Sequence, residues 1–556
     1  MTKGLGSRLR HLVSLQRSWR LSGIQWATFC FGLCVLAGLV WAGISGRGSA
    51  RSKGATWEQA PNGQGRMITV PPGGDFQSAI DQAQPGDTIV LTSGATYEGH
   101  FTLPAKAGHQ YVTVCSSALD HLPPKGSRVD PKDAPYMPKL VSPDASPVVV
   151  AARGAHHFRF VGIEFHPATR VYMFNLIAIG RGDEDSLEDL PHDFIFDRDY
   201  IHGDPDVGAR RGIYLSGGAV TVENSYLSDF KGIGEDTQTL SGSNTPGPLN
   251  IINNFLEASG ENIIFGGGRT YVPDMVPSDI VIRHNYFYKP LYWRKGDPSY
   301  AGTEWTVKNL LELKRGRRVT IEGNLFENNW PHAQSGVAIL FTVRTDGGHT
   351  PWSVVEDITF RNNILRHAAS GFTITGHDDN GMGHEKNILI ENNLIEDISR
   401  QHWGADGKMF QLLEGTDGVV VDHNTITGDG LAALILGGTI PHMNFVMRNN
   451  IMPYGLYGIW SKLPSGSKPL SGPAPGAIMT KNIFVKDSPH PPNASLFPPG
   501  NFLLTSWRDV HFANFTDGDL HLVANSPYRK AGTDGKDLGA DLEAIARATA
   551  GVESGR

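Results

Sequence analysis

The sequence predicts an all-β solenoid, a long coil of short strands wound around one apolar core. Three observations carry that prediction: a hexapeptide that recurs through the second half of the chain, a turn-residue supply suited to many bends, and a shortage of helical periodicity. The hexapeptide is typified by "IRHNYF" at 282–287 and returns as "IEGNLF", "FRNNIL", "IENNLI", "VDHNTI" and "MRNNIM". Aligned on its asparagine it places Asn254, Asn285, Asn324, Asn363, Asn393, Asn424, Asn450 and Asn482 at gaps of 31, 39, 39, 30, 31, 26 and 32 residues. Repetition at 20 to 50 residues marks architectures in which each unit buries its face only against its neighbours.

The flanks of each asparagine define the strands. Three residues before it stand Ile251, Ile282, Ile321, Phe360, Ile390, Val421, Met447 and Met479; two after it stand Leu256, Phe287, Phe326, Leu365, Ile395, Ile426, Met452 and Phe484. All are apolar, and the residues between them alternate as in half-buried strands. A second strand follows a glycine in most repeats, as in "GIYLSGG" and "GFTITGH", and 66 Gly with 35 Pro supply the turns. The pattern extends upstream, with Ser225, Asp199 and Ile163 in the asparagine position.

These residues resemble those of right-handed parallel β-helix proteins of the pectin lyase-like superfamily, over roughly residues 66–545. In that fold equivalent residues stack about 4.8 Å apart, so a buried amide bonds its copies above and below. Asparagine also favours turns, because it tolerates left-handed backbone angles. At the N-terminal end, Phe76, Ala79, Ile80 and Ala83 share one face of a short helix pattern that resembles the capping helix of such proteins, with a strand opening at Asp87. Residues 546–556 read as a C-terminal tail.

The N-terminal region is of another kind. Residues 24–44 form an apolar run of 21 residues preceded by Lys3, Arg8, Arg10, Arg17 and Arg20, with no acidic residue before Glu58. The run is long enough to cross a bilayer. The charge bias keeps residues 1–23 in the cytoplasm and exports the β-helix, joined to the span by a linker at 45–65. A membrane-anchored β-helix, periplasmic or extracellular, is therefore expected, with a cleaved signal and a secreted product as the alternative. Only Cys115 lies beyond this segment, so no disulfide within the domain is expected.

The first 53 residues hold 8 of the 49 Lys and Arg and none of the 56 acids, which leaves 41 basic against 56 acidic, a net −15. Such a balance excludes nucleic acid as the general partner. One basic stretch stands out against it, "KNLLELKRGRRVTIEGN", with Lys314, Arg315, Arg317 and Arg318, followed by Arg344. The long gap before it holds Tyr292, Trp293 and Trp305, aromatic residues of the kind that bind sugar rings. The expected partner is a polysaccharide, most simply an acidic one, with Trp293, Trp305, Tyr292, Arg315 and Arg317 as binding residues.

This stretch is also similar to the region of chondroitinase B-like and alginate lyases in which a Lys and an Arg sit on consecutive coils beside acidic calcium ligands. The resemblance implies Lys314 as the base, Arg344 as its partner and Glu312 as a calcium ligand. The rest of that family's metal pattern is missing here, so no metal or other cofactor is expected. Two further polar groups are candidates for glycoside hydrolysis: His377 and Asp378 in "TGHDDNGMGHEKN", and Glu261 in "SGENIIFGGG". A non-catalytic module that binds glycan or a surface partner is the remaining reading.

Overall fold

The computed structural model describes residues 56–59, 65–462 and 469–555. The expected cytoplasmic segment 1–23, the membrane segment 24–44 and most of the linker lie outside the described residues. Among the described residues no helix is long and apolar enough to cross a membrane.

The described chain is a right-handed parallel β-helix. Its strands fall into three long sheets of 15, 14 and 12 strands, and each sheet takes, through most of its length, every third strand in chain order. A chain that visits three sheets in rotation must coil, and parallel crossovers of this kind are right-handed. Neighbouring strands pair in parallel throughout, apart from the opening strand Thr56–Gln59, which runs antiparallel to Arg66–Val70, and a small hairpin of Phe512–Asn514 with Asp519–Leu522.

The register reproduces the sequence columns. In the 15-stranded sheet Ile251, Ile282, Ile321, Phe360, Ile390, Val421, Met447 and Met479 are successive partners. In the 14-stranded sheet Leu256, Phe287, Phe326, Leu365 and Ile395 follow one another. These side chains are fully buried and form one continuous core along the coil axis. Aromatic rings stack within it from coil to coil, as in Phe287 on Phe326 at 4.3 Å and Phe160 on Phe196 at 5.4 Å.

Between the two columns lies the asparagine ladder. The amide oxygen of Asn363 accepts from the backbone N–H of Asn324 at 2.9 Å and from its side-chain nitrogen at 3.0 Å, while the side-chain nitrogen of Asn363 donates to Ile321 O and to Asn393 Oδ1. The same pattern joins Asn254 through Asn482, and the whole row is buried. It continues past the expected end to Asn501, only 19 residues on. Upstream it passes through Ser225 and Asp199 to the N–H of Ile163.

The left-handed turn belongs to the preceding residue. Asn253, His284, Asn362, Asn392, His423, Asn449 and Lys481 all have φ between 51° and 59°, or 60° at His284, and Gly323 has 64°. The Asn-Asn doublets thus combine two duties, a left-handed corner and then a buried amide.

Helix α1 (Phe76–Gln82), N-capped by Asp75, buries Phe76, Ala79 and Ile80 against the first coils. At the other end the expected boundary at residue 546 falls inside helix α2 (Leu542–Ala548). The tail is packed: the C-terminal segment runs back along the ladder corner, where Asn449 accepts from Thr533 N, Asn392 from Asp541 N, and Arg128 donates to Val552 O. Cys115 is a free, buried thiol that burial pushes up to about 11.

Candidate functional site

On the outer face of the 12-stranded sheet, successive coils do not repeat. The outward column reads Tyr214, Ser241, Ile264, Glu312, Leu340, Thr373, Gln411. Its centre is Leu311–Leu313, where Leu311 and Leu313 point into the core and Glu312 outward, as strand alternation requires.

Glu312 and Lys314, two residues apart, share the outer side, with Lys314 Nζ 3.7 Å from Glu312 Oε1. Glu312 is nearly inaccessible, held by Asn309 Nδ2 at 3.3 Å and Thr342 Oγ1 at 3.4 Å, whereas the Lys314 side chain keeps 23% of its surface. The N–H of Arg344 donates to Lys314 O at 3.0 Å, which puts the two cations on consecutive coils. Arg344 lies 3.7 Å from Asp378, whose carboxylate accepts from the backbone and hydroxyl of Thr345. Burial raises the Asp378 pKa, and those hydrogen bonds outweigh it to hold the group below the usual carboxylate range.

One coil earlier Glu261 is fully buried. Its Oε2 accepts from Gln238 at 2.8 Å, and Lys308 Nζ lies 3.3 Å from Oε1 and 2.6 Å from Asp236. Burial pushes the Glu261 pKa up, with Glu312 and Asp236 adding to it against Lys308. Burial works against the Lys308 charge, but Glu261 and Asp236 outweigh it and raise its pKa. The turn before Glu261 is fixed by Lys289, a buried amine donating to the carbonyls of Ala258, Ser259 and Gly260.

The structure therefore gathers Glu261, Glu312, Lys314, Arg344 and Asp378 on one face. His377 stands one coil beyond Arg344 with its ring against Glu414 O. Lys308, Asn309, Gln238 and Asp236 complete the cluster and escaped the sequence reading. Lys308 and Asn309 stand in the quoted stretch, but no spacing rule ties them to Glu261, which is brought near by pairing of Ile263–Phe265 with Leu311–Leu313.

The rest of the basic run is dispersed by a corner of the coil. Arg315 is fully buried and reaches Gly268 O; burial lowers it to about 10. Arg317 and Arg318 belong to Gly316–Glu322 of the 15-stranded sheet, where they pair with Glu356 and Asp279. Neither reaches the Lys314 face, so the expected assignment of Arg315 and Arg317 to the same binding surface is corrected. Trp293 and Trp305, expected to present rings to sugar, are 2% and 8% exposed and pack with Val307 and Trp330 into a small core of the long loop. Tyr292 alone of the three stays exposed, edge-on to Trp293.

As to metals, Glu261, Glu312 and Asn309 offer oxygen donors, but calcium takes six to eight, and the ammonium groups of Lys308 and Lys314 already share the pocket. The cluster does not fit that ion.

Fold and site together define a β-helical solenoid that carries a carboxylate–lysine cluster on the outer face of one sheet. No protein-family profile and no curated protein matches the sequence. Solved structures similar in backbone course include the PL6 family alginate lyase AlyGC, 14% identical with a TM-score of 0.45, covering 86% of this chain and 57% of that one. The pectate lyase Pel9A is 13% identical, with a TM-score of 0.34 and coverage of 85% and 95%. The catalytic unit of a GH87 alpha-1,3-glucanase from Streptomyces thermodiastaticus is 14% identical, with a TM-score of 0.41 and coverage of 77% and 69%. The chain thus spans little more than half the length of the alginate lyase.

Proposed function

We propose that this chain is an exported, membrane-anchored protein that acts on polysaccharide, and that the Lys314 face cleaves a uronate-containing glycan by β-elimination. The observation that carries the reading is the pairing of a partly exposed lysine with an arginine on the next coil, over a buried, hydrogen-bonded carboxylate cluster that fixes the lysine's position.

In this reaction the amine form of Lys314 takes the proton from the carbon beside the uronate carboxylate, while Arg344 neutralises that carboxylate and so makes the proton removable. The released electron pair forms a carbon–carbon double bond, the adjacent carbon–oxygen glycosidic bond breaks, and water protonates the departing oxygen. Glu312 orients the ammonium or amine of Lys314. Glu261 is fully enclosed and already engaged by Gln238 and Lys308, which argues against its serving a hydrolase as the acid. Export and anchoring rest on the basic flank and apolar run at 24–44.

The test is incubation of the full-length, detergent-solubilised protein with pectate, alginate and a glycosaminoglycan. Rising ultraviolet absorbance from unsaturated ends is expected, with Lys314→Ala lowering kcat by at least 10³-fold at unchanged melting temperature, as for a general base. New reducing ends without unsaturation would assign hydrolysis instead. Binding without any product, unchanged in Lys314→Ala, would make the protein a glycan-binding module. Protease added outside intact cells should remove the β-helix and leave the N-terminal segment in the membrane; a full-length chain protected in the cytoplasm would overturn the topology.

A further inference from the structure

Away from that face, the coils at 156–161 and 192–197 place a group of imidazoles on the outer side of the 15-stranded sheet. His156 and His192 are register partners, and their rings stack 4.9 Å apart at 13°. Each is followed by a residue in the left-handed region, His157 at φ 58° and Asp193 at φ 60°. In an extended strand successive side chains point to opposite faces, so without those two corners His157 and Asp193 would turn inward. With them, both adjacent pairs present their polar atoms on the same side.

The resulting distances are short. His156 Nδ1 lies 2.8 Å from His157 Nδ1, His192 Nδ1 lies 2.6 Å from Asp193 Oδ2, and His157 Nδ1 lies 4.0 Å from that same carboxylate oxygen. One ligand atom each from His157, His192 and Asp193 can be chosen so that all fall within 4.8 Å of one another. His109, on the preceding coil, brings a fourth imidazole, its ring 5.7 Å from that of His157.

We propose that His157, His192 and Asp193 form a binding site for a divalent transition-metal ion of the zinc type, with His156 as the neighbour that completes the set. The chemistry of the donors points to this class: imidazole nitrogen with one carboxylate suits zinc and its neighbours, whereas calcium and magnesium take oxygen. Zinc holds nitrogen at about 2.0–2.1 Å, so side-chain rotations that draw these atoms inward would close the shell. All the ligands come from two adjacent coils, so the ion would act as a cross-link near the N-terminal end of the solenoid.

The test uses untagged full-length protein, stripped with chelator and dialysed against micromolar Zn²⁺ and, separately, Co²⁺. One equivalent of bound zinc per chain is expected, with visible absorption bands for cobalt and a rise in melting temperature on adding zinc. His192→Gln and Asp193→Asn should each weaken zinc binding at least tenfold and abolish the thermal shift, while melting unchanged in chelator; asparagine tolerates the left-handed angle at 193. His521→Ala, which removes an exposed His–Asp pair 2.6 Å apart without further imidazoles, should bind zinc as the wild type does. Absence of tight zinc or cobalt binding to the wild type, or equal binding by the two site variants, would overturn the proposal.

Discussion

The ladder corner and the outer face of the 12-stranded sheet are built on the same coils and obey opposite rules. At the corner the coils from Asn254 to Asn482 all do the same thing: one residue turns left-handed and the next buries an amide that bonds its neighbours on both sides. On the outer face Glu312 is followed one coil later by Leu340 and then by Thr373. Repetition builds the axis, and departures from repetition build a site. Substitutions at the corner should therefore cost stability, and substitutions on the face should cost activity, as proposed for Lys314.

The largest expected effect lies in the ladder. Asn363→Leu removes the acceptor for two donors of Asn324 and the donor to Ile321 O, all buried. Each stranded group costs about 1–3 kcal/mol, so a loss of roughly 4 kcal/mol is expected in denaturant unfolding, with Asn363→Ser milder. A variant that unfolds with the wild type would show the ladder to be dispensable.

Next comes Trp293→Ala, which separates packing from recognition in the long loop. Trp293 fills the loop core with Trp305 and Trp330, and truncation of a buried tryptophan costs about 3–5 kcal/mol. Melting should fall while the KM for glycan holds in the folded protein. Normal melting with lost binding would return the ring to the substrate.

These contrasts show what was legible in the sequence. The eight asparagines and their apolar flanks were readable because each coil imposes the same burial on the same position, so the constraint is written many times. Asn501 was missed because a 19-residue coil breaks the period. The face was only partly readable: Lys314 lies two residues after Glu312, just past the end of its strand, but Glu261 and Lys308 meet through pairing across a 47-residue separation that leaves no local spacing to detect. The run from Lys314 to Arg318 misled for the reverse reason, since neighbours in sequence are parted by a corner between two sheets.

A third effect depends on pH. Glu385 is buried, with one carboxylate oxygen accepting from Asp417 N and the other without a partner. Burial raises its pKa to about 8 against the hydrogen bond that lowers it. Its folded pKa is thus above the unfolded value of about 4.3. The folded state holds the proton more tightly, so this contribution to stability is complete below about pH 4 and is lost as pH rises through 8. Between pH 5 and pH 8 the loss should be roughly 3 kcal/mol. Glu385→Gln, which cannot ionise, should flatten that slope and melt higher than wild type at pH 8. Parallel pH profiles for the two proteins would show that Glu385 is ionised in the fold.

The smallest effect sharpens the comparison most, because it separates adjacent residues of one doublet. Asn362 sits at φ 54°, partly exposed, and its side chain bonds Glu322 and Asn392 near the surface. Glycine adopts that angle freely, so Asn362→Gly should change stability by less than about 1 kcal/mol. Asn362→Val should cost more, because a β-branched side chain is strained at positive φ. At Asn363 the ranking reverses in kind: glycine offers no amide, and Asn363→Gly should lose several times what Asn362→Gly loses, although no left-handed angle is involved. Equal losses from the two glycine variants would mean that the doublet acts as one turn rather than as a corner followed by a rung.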